Sequence, residues 1–206
     1  MSITLLIIIL TCLTSILAFR NPAAHGAALF YPYAMRERGE WYRFLTSGFV
    51  HVDWMHLLVN MYVLYIFGTL LEDRLLHTFF GTKVRLVYVL LYLGGMVISD
   101  VPSYFRYRHD PGFRAVGASG AVSSVVFASI LINPWQGGIG LLFLPGLSIP
   151  PLIFGGLYLL YSAVMSRRQG GRVHHDAHLY GALFGLLLPG LLDPRIFRFF
   201  LQQWPF

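Results

Sequence analysis

The chain has 206 residues, of which 56% are hydrophobic and only 12% charged, with a mean hydropathy of +0.64. Soluble domains average about 25% charged residues, so this composition excludes an ordinary soluble domain and requires lipid as solvent. The net charge of +6 comes from 14 Arg and one Lys against nine acids; they are spread through loops rather than gathered in a run with interleaved aromatics, which speaks against nucleic acid as a partner and suits a membrane surface.

In chain order, the first apolar segment runs from Ile3 to Phe19. No Lys or Arg precedes it, and its 17 uncharged residues are long for a cleaved leader, so a retained span is expected. Cys12, inside it, is the single cysteine and permits no intrachain disulfide. A long first loop, residues 20–54, carries Trp41, Tyr42 and Arg43, aromatic rings and a snorkelling Arg that suit the headgroup layer. The second span is expected over Met55 to Leu71 and the third over Leu86 to Ser99, each bounded by charges, Pro or Gly. From Ala115 to Ser166, 52 residues contain no Asp, Glu, Lys, Arg or His. That is more than twice the roughly 20 needed to cross a bilayer, so two further spans are predicted, Ser119 to Ile132 and Pro150 to Met165. A sixth covers His178 to Leu192. With no internal repeat and no soluble module, the expected fold is all-α: one polytopic domain over residues 1–206, a bundle of six transmembrane helices with both termini on one side.

Polar side chains in a bilayer cost free energy unless they face a protein interior or a wet cavity. Three clusters meet this description: His51, His56 and Asn60 at the start of the second span, Gly117, Ala118, Ser119 and Gly120 at the start of the fourth, and His178 at the start of the sixth. Alternating topology puts the starts of the even-numbered spans on one face of the membrane, where these clusters can converge. A serine hydroxyl needs a base to become a nucleophile, and acyl transfer needs donors aimed at the developing oxyanion. Ser119 at a helix N-terminus has open backbone N–H groups and the positive end of the macrodipole beside it, and the flanking Gly117 and Gly120 admit a substrate backbone. His56 and Asn60, four residues apart, share a helix face and could supply two further donors. His178 is the candidate base. The fourth span has 14 residues, about 21 Å at 1.5 Å per residue against a core of about 30 Å. Ser119 is therefore expected below the surface, in a water-filled cavity, since hydrolysis consumes water.

Plainer readings apply to some of these residues. Gly181 and Gly185, spaced GxxxG after His178, read as helix-packing contacts that bring the sixth span against the fourth. His51, at a span edge, reads as a satisfied structural histidine, and His174 and His175, beside Arg172 and Asp176, as part of a solvated connection. A metal site built on the histidines is a rival, opposed by the lack of an HExxH helix and of a mid-span carboxylate. A GxSxG elbow is excluded because residue 121 is Ala and no strand precedes it.

Trp41-Tyr42-Arg43, the run His51-x4-His56-x3-Asn60, Gly117-Ala118-Ser119-Gly120, and Ala177-His178 followed by Gly181 and Gly185 together resemble the rhomboid family of intramembrane serine proteases, in the family's order. The resemblance implies a Ser119–His178 dyad with no acid partner, an oxyanion hole from His56, Asn60 and the Ser119 N–H, and a cap formed by loop 167–177. It further implies single-span membrane proteins as substrates, no cofactor and no metal, and a cell membrane with the site opening to its non-cytoplasmic side. A rhomboid-like protein that binds client transmembrane segments without cutting them is the alternative. Two departures stand out. Many family members carry a Tyr one turn after the nucleophile, stacked on the catalytic histidine, where this chain has Ser123; and the first-loop Trp-Arg pair becomes Tyr42-Arg43. Five of the fifteen Lys and Arg fall on the side of the termini, so the positive-inside rule favours the orientation opposite to the family's.

Overall fold

The computed structural model describes residues 2–136, 139–141, 144–166 and 175–204. Helix α1 (Ile3–Arg20) opens at Ser2, whose side chain accepts from the Leu5 N–H. The first loop folds into short helices α2 (Pro22–Ala28), α3 (Pro32–Arg38) and α4 (Arg43–Thr46) and a 3-10 turn, Ser47–Phe49. Asp53 caps α5 (Trp54–Leu70) by accepting the His56 N–H at 2.8 Å. A π turn over Leu71–Leu75, α6 (His77–Phe80) and a 3-10 turn lead into α7 (Val84–Tyr107). After α8 (Ser119–Ile132) come a small antiparallel hairpin, β1 (Ile139–Leu141) and β2 (Leu144–Ile149), then α9 (Pro151–Ser166), α10 (His175–Leu192) and α11 (Arg195–Gln202).

A helix occupies each of the six apolar segments. The central one is α8, buried at every residue from Gly120 to Ile132, as expected of a helix that is apolar all round. Around it pack α5, α7 and α10. Outward faces remain apolar: Leu13 and Leu17 on α1, Leu58 on α5, Leu157 and Leu160 on α9 are all exposed, far more apolar surface than a water-soluble monomer presents. Two helical stretches, Ile3–Arg20 and Trp54–Tyr107, are long and apolar enough to cross a bilayer, α8 and α9 are shorter apolar helices, and α10 and α11 form a pair bent by 112°. The chain is an all-α integral membrane protein.

One end of the bundle is tied by Glu72. Its carboxylate accepts the Ile3 N–H at 2.7 Å, the Thr4 N–H at 2.8 Å and the Thr4 hydroxyl at 2.7 Å, satisfying the orphan donors of the first turn of α1. Thr4 Oγ1 lies 2.8 Å from Tyr88 Oη, so the start of α1, the end of α5 and the start of α7 meet here. The starts of α5, α8 and α10 meet at the opposite end.

Three sequence expectations are corrected. The third span does not stop at Ser99 but continues to Tyr107 through a buried Asp100 and through Pro102; a charged residue does not end a helix whose face is covered by protein. Arg43 does not snorkel. It is buried, its Nη1 donating to the carbonyls of Gly26 at 3.1 Å and Leu29 at 2.8 Å and its Nε to Glu40 at 2.6 Å, so it staples the first loop to itself. Between α8 and α9, where the sequence predicts an all-α connection, the chain forms the antiparallel β1–β2 hairpin. Of the expected cap loop 167–177, residues 167–174 lie outside the described residues.

Candidate active site

The segment entering α8 is held by the first loop at successive positions. Phe30 and Ala115 exchange backbone hydrogen bonds at 3.0 Å each, the Gly117 N–H donates to the Ser47 carbonyl at 3.0 Å, and the Ala118 N–H donates to His51 Nε2 at 3.4 Å. Gly117 has φ +118°, and a Cβ built there would lie 2.4 Å from Cε1 of His56, so both the backbone and the His56 ring require glycine. This puts His56 over the turn that delivers Ser119. Ala118, at the cap position of α8, makes no side-chain capping bond, which leaves the positive end of the helix to whatever enters the site. A cavity of about 10 Å³, the space of roughly one water, is lined among others by Ser47, Ser99, Asp100, Gly117, Ser119 and Ala177.

Helix α10 reaches this cavity because it packs backbone to backbone on α8. A Cβ on Gly181 would lie 2.2 Å from the Gly120 carbonyl oxygen, and one on Gly185 2.1 Å from that of Ser124. A Cβ on Gly120 would meet Ser99 Oγ at 2.1 Å and the Ala177 carbonyl at 3.5 Å. Ser119 and His178 thus flank the contact between the two helices, Ser119 preceding Gly120 and His178 following Ala177. The His178 ring stacks on Tyr158 of α9, centroids 6.0 Å apart and planes 22° apart, and has the His175 ring edge-on at 5.9 Å. At the start of α10, Asp176 pairs with Arg106 of α7 at 3.4 Å.

The other sequence candidates divide. His56 is half-buried against Gly117, whereas the Asn60 side-chain amide donates back to the His56 carbonyl at 3.0 Å. His51 is fully buried. Because Nε2 accepts from Ala118, the proton sits on Nδ1 and is donated to Ser15 Oγ at 3.0 Å, and Ser15 Oγ donates to the Phe49 carbonyl at 3.2 Å. This neutral ring ties α1 to the entry of α8. Burial, then repulsion from His56, holds His51 down at about 3, against an opposing pull from Asp53. Its contribution to stability is fully present above the ordinary value of 6.5 and is lost as pH falls from there toward about 3. Thermal denaturation in detergent should show a midpoint that drops between pH 7 and pH 4, with a smaller drop in His51→Gln; an equal drop in that variant would contradict this role.

Two residues at the site, Asp100 and Tyr158, have no place in the sequence reading, and the expectation for a third, His175, is corrected. Asp100 lines the cavity with Ser119, so a mid-span carboxylate does reach the site; a search for polar residues continued one position past Ser99 would have found it. His175 is not solvated but buried in α10, its ring against Tyr161 and His178, a placement its i,i+3 spacing from His178 allowed. Tyr158 carried no signal among the apolar residues of α9.

The Rhomboid domain family matches residues 38–195. The chain is 32% identical over 165 residues to "Rhomboid-like protein 11, chloroplastic" of Arabidopsis thaliana, covering 74% of this chain and 53% of that protein. It is 32% identical over 152 residues to "Presenilin-associated rhomboid-like protein, mitochondrial" of Rattus norvegicus, covering 69% and 36%. A relative in Bacillus subtilis (strain 168), named as a candidate rhomboid protease, is 28% identical over 150 residues, covering 73% and 66%. The chain thus spans about half or less of the length of the plant and rat relatives.

Proposed function

The chain belongs to the rhomboid family, and from that premise we propose that it is an intramembrane serine endopeptidase, cutting single-span membrane proteins in or near the membrane with Ser119 and His178. The observation that carries the reading is the glycine contact between α8 and α10: Ser119, which lines the small cavity with Ala177, precedes Gly120 on one helix, and His178 follows Ala177 on the other.

In this mechanism the Ser119 hydroxyl attacks the scissile carbonyl carbon while His178 takes its proton. The oxyanion is met by the Ser119 N–H at the positive end of α8 and by His56, with the second amide hydrogen of Asn60 as a further donor. His178 returns the proton to the leaving amine. Water then enters, His178 takes its proton as it attacks the acyl carbon, and the acid product leaves as Ser119 Oγ regains its hydrogen. The 14 residues of α8 span about 21 Å of a core of about 30 Å, in keeping with a site below the headgroups. On the expected reading of six spans with both termini on one face, the site opens on the face opposite the N-terminus. The Arabidopsis and rat relatives carry chloroplast and mitochondrial names and lend the expected cell membrane no support; the placement adopted is an integral membrane protein of unspecified compartment.

Purified protein in liposomes should cleave a model single-span substrate, with cleavage blocked by a serine-directed phosphonate and untouched by chelators. Loss of activity on chelation would favour the histidine metal site. A folded protein that binds the substrate and never cuts it would favour the client-binding alternative.

A further inference from the structure

Resting on the proposed dyad, the geometry points to Tyr158 as the positioning residue for the base: a clamp reaching from α9, anchored on Ser123 of α8, that fixes the plane of the His178 imidazole. A general base works only when its lone pair points at the hydroxyl it deprotonates, and an imidazole on one rotatable stem needs neighbours to hold its plane. Stacking supplies that constraint. The Tyr158 and His178 rings lie 6.0 Å apart at 22°, within the range of offset stacks, and the His175 ring meets His178 edge-on at 5.9 Å.

The clamp is itself braced. Tyr158 Oη lies 3.2 Å from Ser123 Oγ, and Ser123 is buried one turn beyond Ser119 on the same helix. One hydrogen bond therefore links the tyrosine that holds the base to the helix that presents the nucleophile. Three observations explain how α9 comes this close. Gly155, one turn before Tyr158, has no side chain, and a Cβ there would meet Ile130 Cδ1 at 2.9 Å and Phe127 Cε1 at 3.2 Å. Phe127 packs on the Tyr158 ring at 5.8 Å and Phe154 stacks on it at 6.3 Å. Ser123 is small enough to leave the ring its place. The side chain at 123 and the ring at 158 thus share one space beside His178, a small residue in one element with a large one in the other.

Tyr158→Ala is expected to lower kcat on a single-span substrate by about 10- to 100-fold with KM nearly unchanged, and to shift the acidic limb of the kcat–pH profile. Tyr158→Phe, which keeps the ring and loses the anchor, and Ser123→Ala, which loses the anchor alone, should each lose about 3- to 5-fold. Adding Ser123→Tyr to Tyr158→Ala should recover at least part of the lost kcat by offering a ring from the other helix. A readout independent of catalysis is the imidazole resonance of His178 in histidine-labelled protein, assigned by its absence in His178→Gln: the ring-current shift from Tyr158 should persist in Tyr158→Phe and vanish in Tyr158→Ala. An unmoved resonance in Tyr158→Ala, a kcat within twofold of wild type, or a loss confined to KM would overturn the proposal. A wild-type protein that cleaves nothing would defeat the protease reading, while the resonance would still decide the clamp.

Discussion

Ser119→Ala should lower cleavage of a single-span substrate by about 10⁴-fold or more, equivalent to roughly 5.5 kcal/mol of barrier, and His178→Ala should do the same. The reason is chemical: without the hydroxyl no acyl intermediate forms, and without the imidazole the hydroxyl keeps its proton. Because the two groups act as one unit, the double variant should be no slower than either single one. Removing one oxygen from half-buried Ser119 leaves the α8–α10 contact intact, so the thermal midpoint in detergent should stay close to that of wild type. Cleavage by Ser119→Ala at more than a few per cent of the wild-type rate would remove the serine from the mechanism.

The second large effect comes from backbone contact. Gly181→Ala places a methyl 2.2 Å from the Gly120 carbonyl oxygen, and Gly185→Ala places one 2.1 Å from that of Ser124. Neither oxygen can rotate aside as a side chain would, so the helices must separate. Overpacking of this kind costs about 1–3 kcal/mol, and a shift of about 1 Å in His178 relative to Ser119 is enough for about 100-fold in rate. Gly156→Ala is the matched control: nothing lies within 4 Å of a Cβ there, and replacing a mid-helix glycine by alanine should raise stability by about 0.5–1 kcal/mol. Paired thermal midpoints and cleavage rates check both. Wild-type behaviour in Gly181→Ala would mean that α10 does not sit on α8 as described.

Legibility in the sequence followed burial and period. Apolar segments between Ile3 and Leu192 announce themselves because a charge in lipid is costly, and their alternation is enough to bring His56, Ser119 and His178 to one end of the bundle. What stayed hidden depended on contacts far apart in the chain. Arg43 among aromatics reads as an interfacial residue, and only the carbonyls of Gly26 and Leu29 reveal a buried staple. Asp100 reads in the sequence as the charge that ends the third span, whereas α7 carries it inside on a face covered by protein. The support of His178 could not be read at all: Ser123 in place of a ring announces a gap, and Tyr158, 35 residues on, fills it.

Reaction of the detergent-solubilised protein with a fluorophosphonate probe, followed by peptide mass mapping, tests the central claim most directly. A single adduct on Ser119, absent from Ser119→Ala and slowed at least 100-fold in His178→Ala, is the predicted result. A folded protein that remains unlabelled, or that carries the adduct on another residue, would contradict it.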